Sequence, residues 1–495
     1  MAAKGTATPA APAFAGQYSG PSRWWAMLGV GLGVLMATID VSIVNISLPT
    51  LVEQLHTDFA TVQWVVLGYT LVITSLMLAT ARLGDMVGTK RPYLLGLGLF
   101  SLGSLLCGLA STAGWLIAFR AFQGLGAACM QALGVAIITM IFPASQRGRA
   151  LGVVGGIVAT GLALGPPLGG LLIGFFGWRS VFLVNLPLGA LAWFLVVRYV
   201  PLSPPGQPGQ HFDLAGAGVL MACLVSYALG MTWGQLHGFD APLTLGLLGL
   251  AGLSLAAFVA LELKLAQPMV DLTLFKDPLF SLNLLMGLLS FIQLGGVVVL
   301  PFFLELVQGY STQQAGLVMM TVPVSMGLVS PWAGWLSDRY GSRGISLLGL
   351  LLLALGTHGV STLRPGVSLA AYILHIMPVG LGMGLFQSPN NSAIMGRVPP
   401  HRVGVASGLL SLARTLGNTS GLPLMGAVFS HAVLASAHLP ARAAITQAPR
   451  EALAAGLRGA YRVATLLALI AAGLSLWAWF LDRRPGAGDG MNSSI

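Results

Sequence analysis

Charge is what this chain has least of. Only 8% of its 495 residues are Asp, Glu, Lys or Arg, against roughly 25% in an ordinary soluble domain. With 56% hydrophobic residues it cannot dress a water-facing surface, so it reads as a polytopic membrane protein. Cysteine is scarce as well. Cys107, Cys129 and Cys223 stand apart in apolar segments with no CxxC or metal-ligand spacing; they read as small core residues, and no metal site is expected. There is no GxxxxGK[ST] loop to cradle ATP phosphates and no HExxH helix, which disfavours an ATP-driven pump or a metalloprotease. A sensor or a membrane enzyme is disfavoured too, because no soluble sensing domain is present and no nucleophile and base recur at one depth.

Apolar runs of about twenty residues, each long enough to cross a ~30 Å hydrocarbon layer, are what the chain has in abundance. Fourteen can be drawn: 24–48, 62–82, 93–111, 114–141, 150–175, 180–199, 213–235, 242–262, 279–305, 313–336, 344–362, 368–395, 404–432 and 459–481. The 66 glycines and 28 prolines suit packed membrane helices, where small residues let backbones approach. Residues 1–22, rich in Ala, Pro and Gly, read as a disordered cytoplasmic tail rather than a signal peptide. The net charge of +10 needs no nucleic acid. Most of the 24 basic residues, among them Lys4, Arg23, Lys90, Arg91, Arg147, Arg149, Lys264, Arg339, Arg343, Arg397, Arg402 and Arg484, fall on one side of the spans. The positive-inside bias then puts both termini in the cytoplasm.

The loop after span 2, Arg82-Leu83-Gly84-Asp85-Met86-Val87-Gly88-Thr89-Lys90-Arg91, is echoed after span 10 by Trp335-Leu336-Ser337-Asp338-Arg339-Tyr340-Gly341-Ser342-Arg343. The aspartates are 338 − 85 = 253 positions apart. Leu164-Gly165, Gly169 and Gly174 recur as Leu416-Gly417, Gly421 and Gly426 at nearly the same offset. The chain is therefore expected to be all-α, built as 6 + 2 + 6 spans: a bundle over 23–200, a linker with an inserted two-helix hairpin over 201–278, a second bundle over 279–482, and a cytoplasmic tail over 483–495. The two pseudo-symmetric bundles should enclose the ligand path between them.

One carboxylate interrupts the first span. Asp40 lies roughly 24 Å along the helix from Trp24, where an ionisable group costs ~3 kcal/mol on insertion scales and is usually retained for a task. In span 4 Arg120, with Gln123 one turn on, reaches about the same depth, so an Asp40–Arg120 pair across a cavity is expected. Movement between a paired and an apolar setting would make a proton switch; a static pair that fixes packing is the alternative. The 253 offset carries Asp40 onto Gln293, a neutral amide, so proton coupling is expected in one half only. Asn45, Gln123, Gln293 and Arg414 are the candidate cavity residues. In the two loops Asp85, Gly88, Lys90, Arg91, Asp338, Arg339, Gly341 and Arg343 are candidate gating residues, the aspartates latching helices on the cytoplasmic side in one conformation. Gly161, Gly165, Pro166, Gly169 and Gly170, with Pro167, make a smooth, kinked span 5 that serves close packing and bending alike. Glu305 lies near the outer end of span 9, and His358 and His375 read as satisfied polar residues. Met286, Met326, Met377, Met383, Phe291, Phe302 and Phe386 can form a soft pocket.

These residues resemble the major facilitator superfamily, and within it the fourteen-span drug/proton antiporter family, over roughly residues 24–480. The resemblance rests on Ile39-Asp40-Val41-Ser42-Ile43-Val44-Asn45 with Leu48-Pro49, on Arg120 with Gln123, and on the Gly161–Gly170 segment. Trp178-Arg179 with Phe182, Asn185, Pro187 and Gly189, the two Asp-x-x-Gly loops, and Gln267-Pro268 through Leu274-Phe275 add to it. It implies a bacterial inner-membrane transporter that exports amphipathic or cationic drugs by alternating access, driven by the proton gradient without a cofactor, working with lipid around it and as a monomer. An exporter of a dedicated metabolite such as an antibiotic, amino acid or lipid is the alternative. Three features depart from the family pattern: Ala81 replaces the opening glycine of the first loop, Met86 replaces an arginine, and span 13 has no acid. The last argues against broad export of dications.

Overall fold

A computed structural model of the chain describes residues 22–57, 59–202, 213–265, 268, 270–399, 402–437 and 448–482. The two expected tails and most of the Pro/Gly-rich break after span 6 lie outside the described residues. The described residues hold helices and no strand, and fourteen helices are long and apolar enough to cross a membrane.

In the first half these are α1 (Ser22–Gln54), α2 (Phe59–Val87), α3 (Lys90–Leu109), α4 (Ala113–Ile141) and α5 (Ala144–Phe176). The sixth span is a short α6 (Ser180–Leu183) followed by α7 (Asn185–Tyr199). The hairpin is α8 (Leu214–His237) and α9 (Pro242–Glu262). The second half has α10 (Pro278–Leu294), α11 (Thr312–Met319) running into α12 (Thr321–Tyr340), α13 (Ser342–Val360), α14 (Leu369–Gly396), α15 (Val403–Ala437) and α16 (Arg450–Asp482).

Short polar side chains start many of these helices by accepting from orphan N–H groups of the first turn. Thr112 accepts from Trp115, Asp213 from Gly216, Asp277 from Leu279 and Ser368 from Ala371. The two repeated loops are tight because each carries one glycine in the left-handed region, Gly88 at φ 87° and Gly341 at φ 86°, a conformation that costs a side chain. Span 9 departs from the single helix that its apolar run suggests. After α10 it passes into a 3-10 turn over Gly295–Val299 and a π-turn over Phe302–Val307. Gly295, weak in a helix, lets the chain press against the backbone of Gly421, where a Cβ would have no room.

Within the first half α4 packs on α2 and α3, and α1 on α5 and α7; within the second, α14 packs on α12 and α13, and α10 on α15 and α16. The halves meet along two seams, α5 against α12 and α14, and α2 and α4 against α15. The hairpin joins one seam only: α8 lies on α2 and α15, with the Tyr227 and Ser420 hydroxyls hydrogen-bonded, and α9 packs on α8. α5 is shared between the halves. Its first turns ride on α12, with Gly148, Gly152 and Gly156 facing Gly334, Ser330 and Gly327 in turn, and its later turns ride on α1.

Candidate functional site

Asp40 sits mid-way along α1 and is 1% exposed. The site around it depends on how closely α3 approaches α4. Gly103 makes that possible: a Cβ there would stand 2.7 Å from the Gln123 Cα, so any side chain would push the helices apart. The neighbouring Ser104 is thereby set beside Gln123, whose Nε2 donates to the Ser104 Oγ at 2.7 Å.

From α4, Arg120 Nη1 donates to Asp40 Oδ2 at 2.5 Å and to Gln123 Oε1 at 2.7 Å. Its Nε donates to the Val65 carbonyl at 3.1 Å, and the guanidinium lies over the Tyr69 ring, 4.0 Å from its centroid. Asp40 Oδ1 accepts from Gln123 Nε2 at 3.0 Å and from Asn185 Nδ2, at the start of α7, at 3.1 Å. Side chains from α4 and α7 thus meet the carboxylate of α1, Ser104 of α3 braces both amides, and α2 supplies the cation's aromatic floor. Because both ions are fully desolvated, removing one partner alone should cost ~3–5 kcal/mol. Among the described residues three polar atoms in this cluster have no partner: Arg120 Nη2, Asn185 Oδ1 and the Tyr69 hydroxyl.

Asp40 and Arg120 do meet, but inside the first bundle rather than across a cavity. Gln123, expected on a cavity wall, is instead wholly buried as the bridge between the two ions. The Asn45 side chain lies outside the described residues. Gln293 is buried in the second bundle, and neither of its amide atoms has a partner among the described residues. Arg414 lines a cavity between the bundles, walled by α4, α10, α14 and α15, and donates to Gln131 Oε1 of α4 at 2.9 Å. Phe291 and Phe386 also stand on that wall, as do Gln387 and Asn390. Gln387 Oε1 and Asn390 Oδ1 are buried without a donor. Ser104, Asn185, Tyr69, Gln387 and Asn390 were not singled out as site residues from the sequence. Ser104 and Asn185 could have been, as polar residues interrupting apolar runs at the depth of Asp40.

The loop aspartates both reach across to the opposite half. Asp85 accepts from the backbone N–H groups of Gly404 and Val405, at 2.7 and 2.8 Å, in the first turn of α15. Asp338 accepts from Gly148 and Arg149, at 2.8 and 2.9 Å, near the start of α5. A carboxylate at a helix start meets unsatisfied donors and the positive end of the helix dipole. Nearby, Lys90 Nζ donates to the Val197 carbonyl at 2.9 Å, and Arg339 lies over the Trp335 and Tyr340 rings. Arg343 donates to Asn283 Oδ1 at 3.0 Å and meets Asp482, whereas Arg91 is exposed. Asp482 also holds Arg397 at 2.6 Å, which in turn meets Asp277.

On α5, Gly161, Gly165 and Gly169 lie against Thr38, Ser42 and Ile43 of α1, bracketing Asp40, while Gly170 faces open space. The helix continues past the expected kink to Phe176; the Pro166 side chain lies outside the described residues. Glu305 is half-buried in the π-turn of span 9. His358 is exposed, and His375 Nδ1 meets the Ala371 carbonyl of its own helix.

The family model described as Major Facilitator Superfamily matches residues 30–422. The chain is 34% identical over 413 residues to the riboflavin transporter RibZ of Clostridioides difficile, covering 83% of this chain and 89% of that protein. It is 35% identical over 406 residues to the multidrug resistance protein Stp of Mycobacterium tuberculosis, covering 82% and 75%. Among solved structures, the human organic anion transporter MFSD10 superposes with a TM-score of 0.66 over 92% of this chain and 100% of that one, at 17% identity.

Proposed function

The chain belongs to the major facilitator superfamily, and on that premise we propose that it exports amphipathic organic compounds across a bacterial inner membrane in exchange for protons. The observation that carries this reading is the buried Asp40–Arg120 pair, the deep carboxylate held by one fixed cation and two amides. A proton added to Asp40 removes the charge that Arg120 balances and turns one acceptor oxygen into a donor, which the amide N–H groups of Gln123 and Asn185 cannot accept. The network must then rearrange. If the basic loops face the cytoplasm, the aspartate contacts of Asp85 and Asp338 close that side, which supports reading this arrangement as outward-facing. Protonation of Asp40 from outside favours release of the latches; loss of the proton inward, with substrate taken up, favours the return. A single deep carboxylate gives one proton per cycle.

Export to the outside is supported by the likeness to a multidrug resistance protein. Export of one dedicated metabolite is a second reading, favoured by the comparable likeness to a riboflavin transporter. The test uses everted membrane vesicles with an imposed pH gradient, to which neutral, anionic and cationic aromatic compounds are added in turn. Wild type should collapse the gradient with at least one compound, and Asp40→Asn with none. Equal collapse by both proteins would sink the coupling role of Asp40.

A further inference from the structure

The cavity between the bundles carries charge of one sign, which narrows what it can take. Arg414 stands in its wall, and one hydrogen bond ties it down among the described residues, from Nη2 to Gln131 Oε1. Among the described residues no acid lines the cavity. The acids in and beside the spans that the site description singled out are committed elsewhere: Asp40 to Arg120, Asp85 to the start of α15, and Asp338 to the start of α5. Two polar atoms on the wall have no partner among the described residues, Gln387 Oε1 and Asn390 Oδ1, and both are acceptors, on residues 8% and 2% exposed. Buried acceptors without donors are costly, and a ligand that supplies N–H or O–H groups relieves that cost. Phe291 and Phe386 offer ring faces between these polar points, which suits a flat aromatic body.

We propose that this cavity selects neutral or anionic planar aromatic compounds, favours those among them that also carry N–H or O–H donors, and rejects permanent cations. A quaternary dye would sit beside the Arg414 guanidinium in a low-dielectric site with no counter-charge, and like charges so placed repel strongly. An anionic or carbonyl edge pairs with Arg414, donors meet Gln387 and Asn390, and the rings meet Phe291 and Phe386. This inference rests on the transport reading and narrows its substrate class away from the cationic drugs that the family resemblance implies.

Binding to the purified full-length protein, with no gradient present, tests it apart from coupling. Fluorescence anisotropy would compare riboflavin, which is neutral and rich in donors, fluorescein as a dianion without donors, and ethidium as a permanent cation. Wild type should bind the first two at least ~10-fold more tightly than ethidium. Arg414→Glu should invert the order of fluorescein and ethidium, and Arg414→Gln, kept in case charge reversal prevents folding, should remove the preference. Gln387→Leu should weaken riboflavin more than fluorescein. Ethidium bound as tightly as the others by wild type, binding of neither riboflavin nor fluorescein, or an unchanged preference in both Arg414 variants would each overturn the proposal. Gradient collapse that fails with every compound counts against proton exchange and leaves the binding order standing.

Discussion

Ser42, two residues past Asp40 on α1, donates to the Leu162 carbonyl of α5 at 3.3 Å, directly below the point where Gly165 leaves no room for a side chain against it. The helix that carries the carboxylate is therefore in backbone-close contact with the helix whose first turns pack against the opposite half. Any change in how α5 lies on α12 reaches the neighbourhood of Asp40 through this contact.

Widening the contact should uncouple the two. Gly165→Val would drive a branched side chain into Ser42 and cost on the order of 1–3 kcal/mol of packing. Protein should still reach the membrane, but substrate-dependent collapse of a pH gradient should fall by about tenfold or more. Wild-type collapse in this variant would show that the close approach is dispensable.

Removing charge at the site should separate stability from transport. Asp40→Asn leaves Arg120 buried without a counter-ion and should destabilise the protein by ~3–5 kcal/mol. Adding Arg120→Met should recover much of that loss without restoring transport. Thermal unfolding of the two variants in detergent, read beside vesicle assays, checks both halves of this expectation. Recovery of transport in the double variant would place the proton elsewhere.

The latches can be read by distance. Asp338→Asn and Asp85→Asn each give up a charge aimed at a helix start, worth ~0.3–1 kcal/mol or more where partly buried, and an amide can accept through only one of its two head atoms. Spin labels on the two loops should report a larger separation and a broader distribution in either variant. The three native cysteines are buried, so labelling at introduced cysteines meets little background. An unchanged distribution would remove the latch role.

The loop face also carries a pH-sensitive contact outside the spans. Burial pushes the Asp271 carboxyl up, but hydrogen bonds from Thr273 and the Arg402 guanidinium, 2.5 Å away, outweigh it and hold the carboxyl below the usual carboxylate value. A carboxyl lowered in the folded state stabilises it above the unfolded value, and that contribution is lost as pH falls through the folded one. Asp271→Asn should therefore lower the melting temperature slightly at neutral pH and flatten its fall in acid. Parallel acid limbs for wild type and variant would contradict this.

Much of the architecture could be read from residue types alone. Spans of apolar residues and the two Asp-x-x-Gly loops are properties of side chains, and so is the depth match that pairs Asp40 with Arg120. Partners that are backbone groups leave no such mark. The targets of Asp85 and Asp338 are N–H groups, and only the glycines at 404 and 148 hint at them, because a Cβ at either place would collide with the carboxylate. Gln123 was misplaced for a related reason. Depth says how far along a helix a residue lies but not which face it occupies, and that face turns into the bundle toward Ser104.

The inserted hairpin breaks the likeness between the two halves at their outer boundary. With α8 lying on α2 and α15, and Leu328 and Trp332 of α12 exposed beside the α5–α12 seam, the two seams are flanked differently: one by a helix pair, the other by bare apolar side chains.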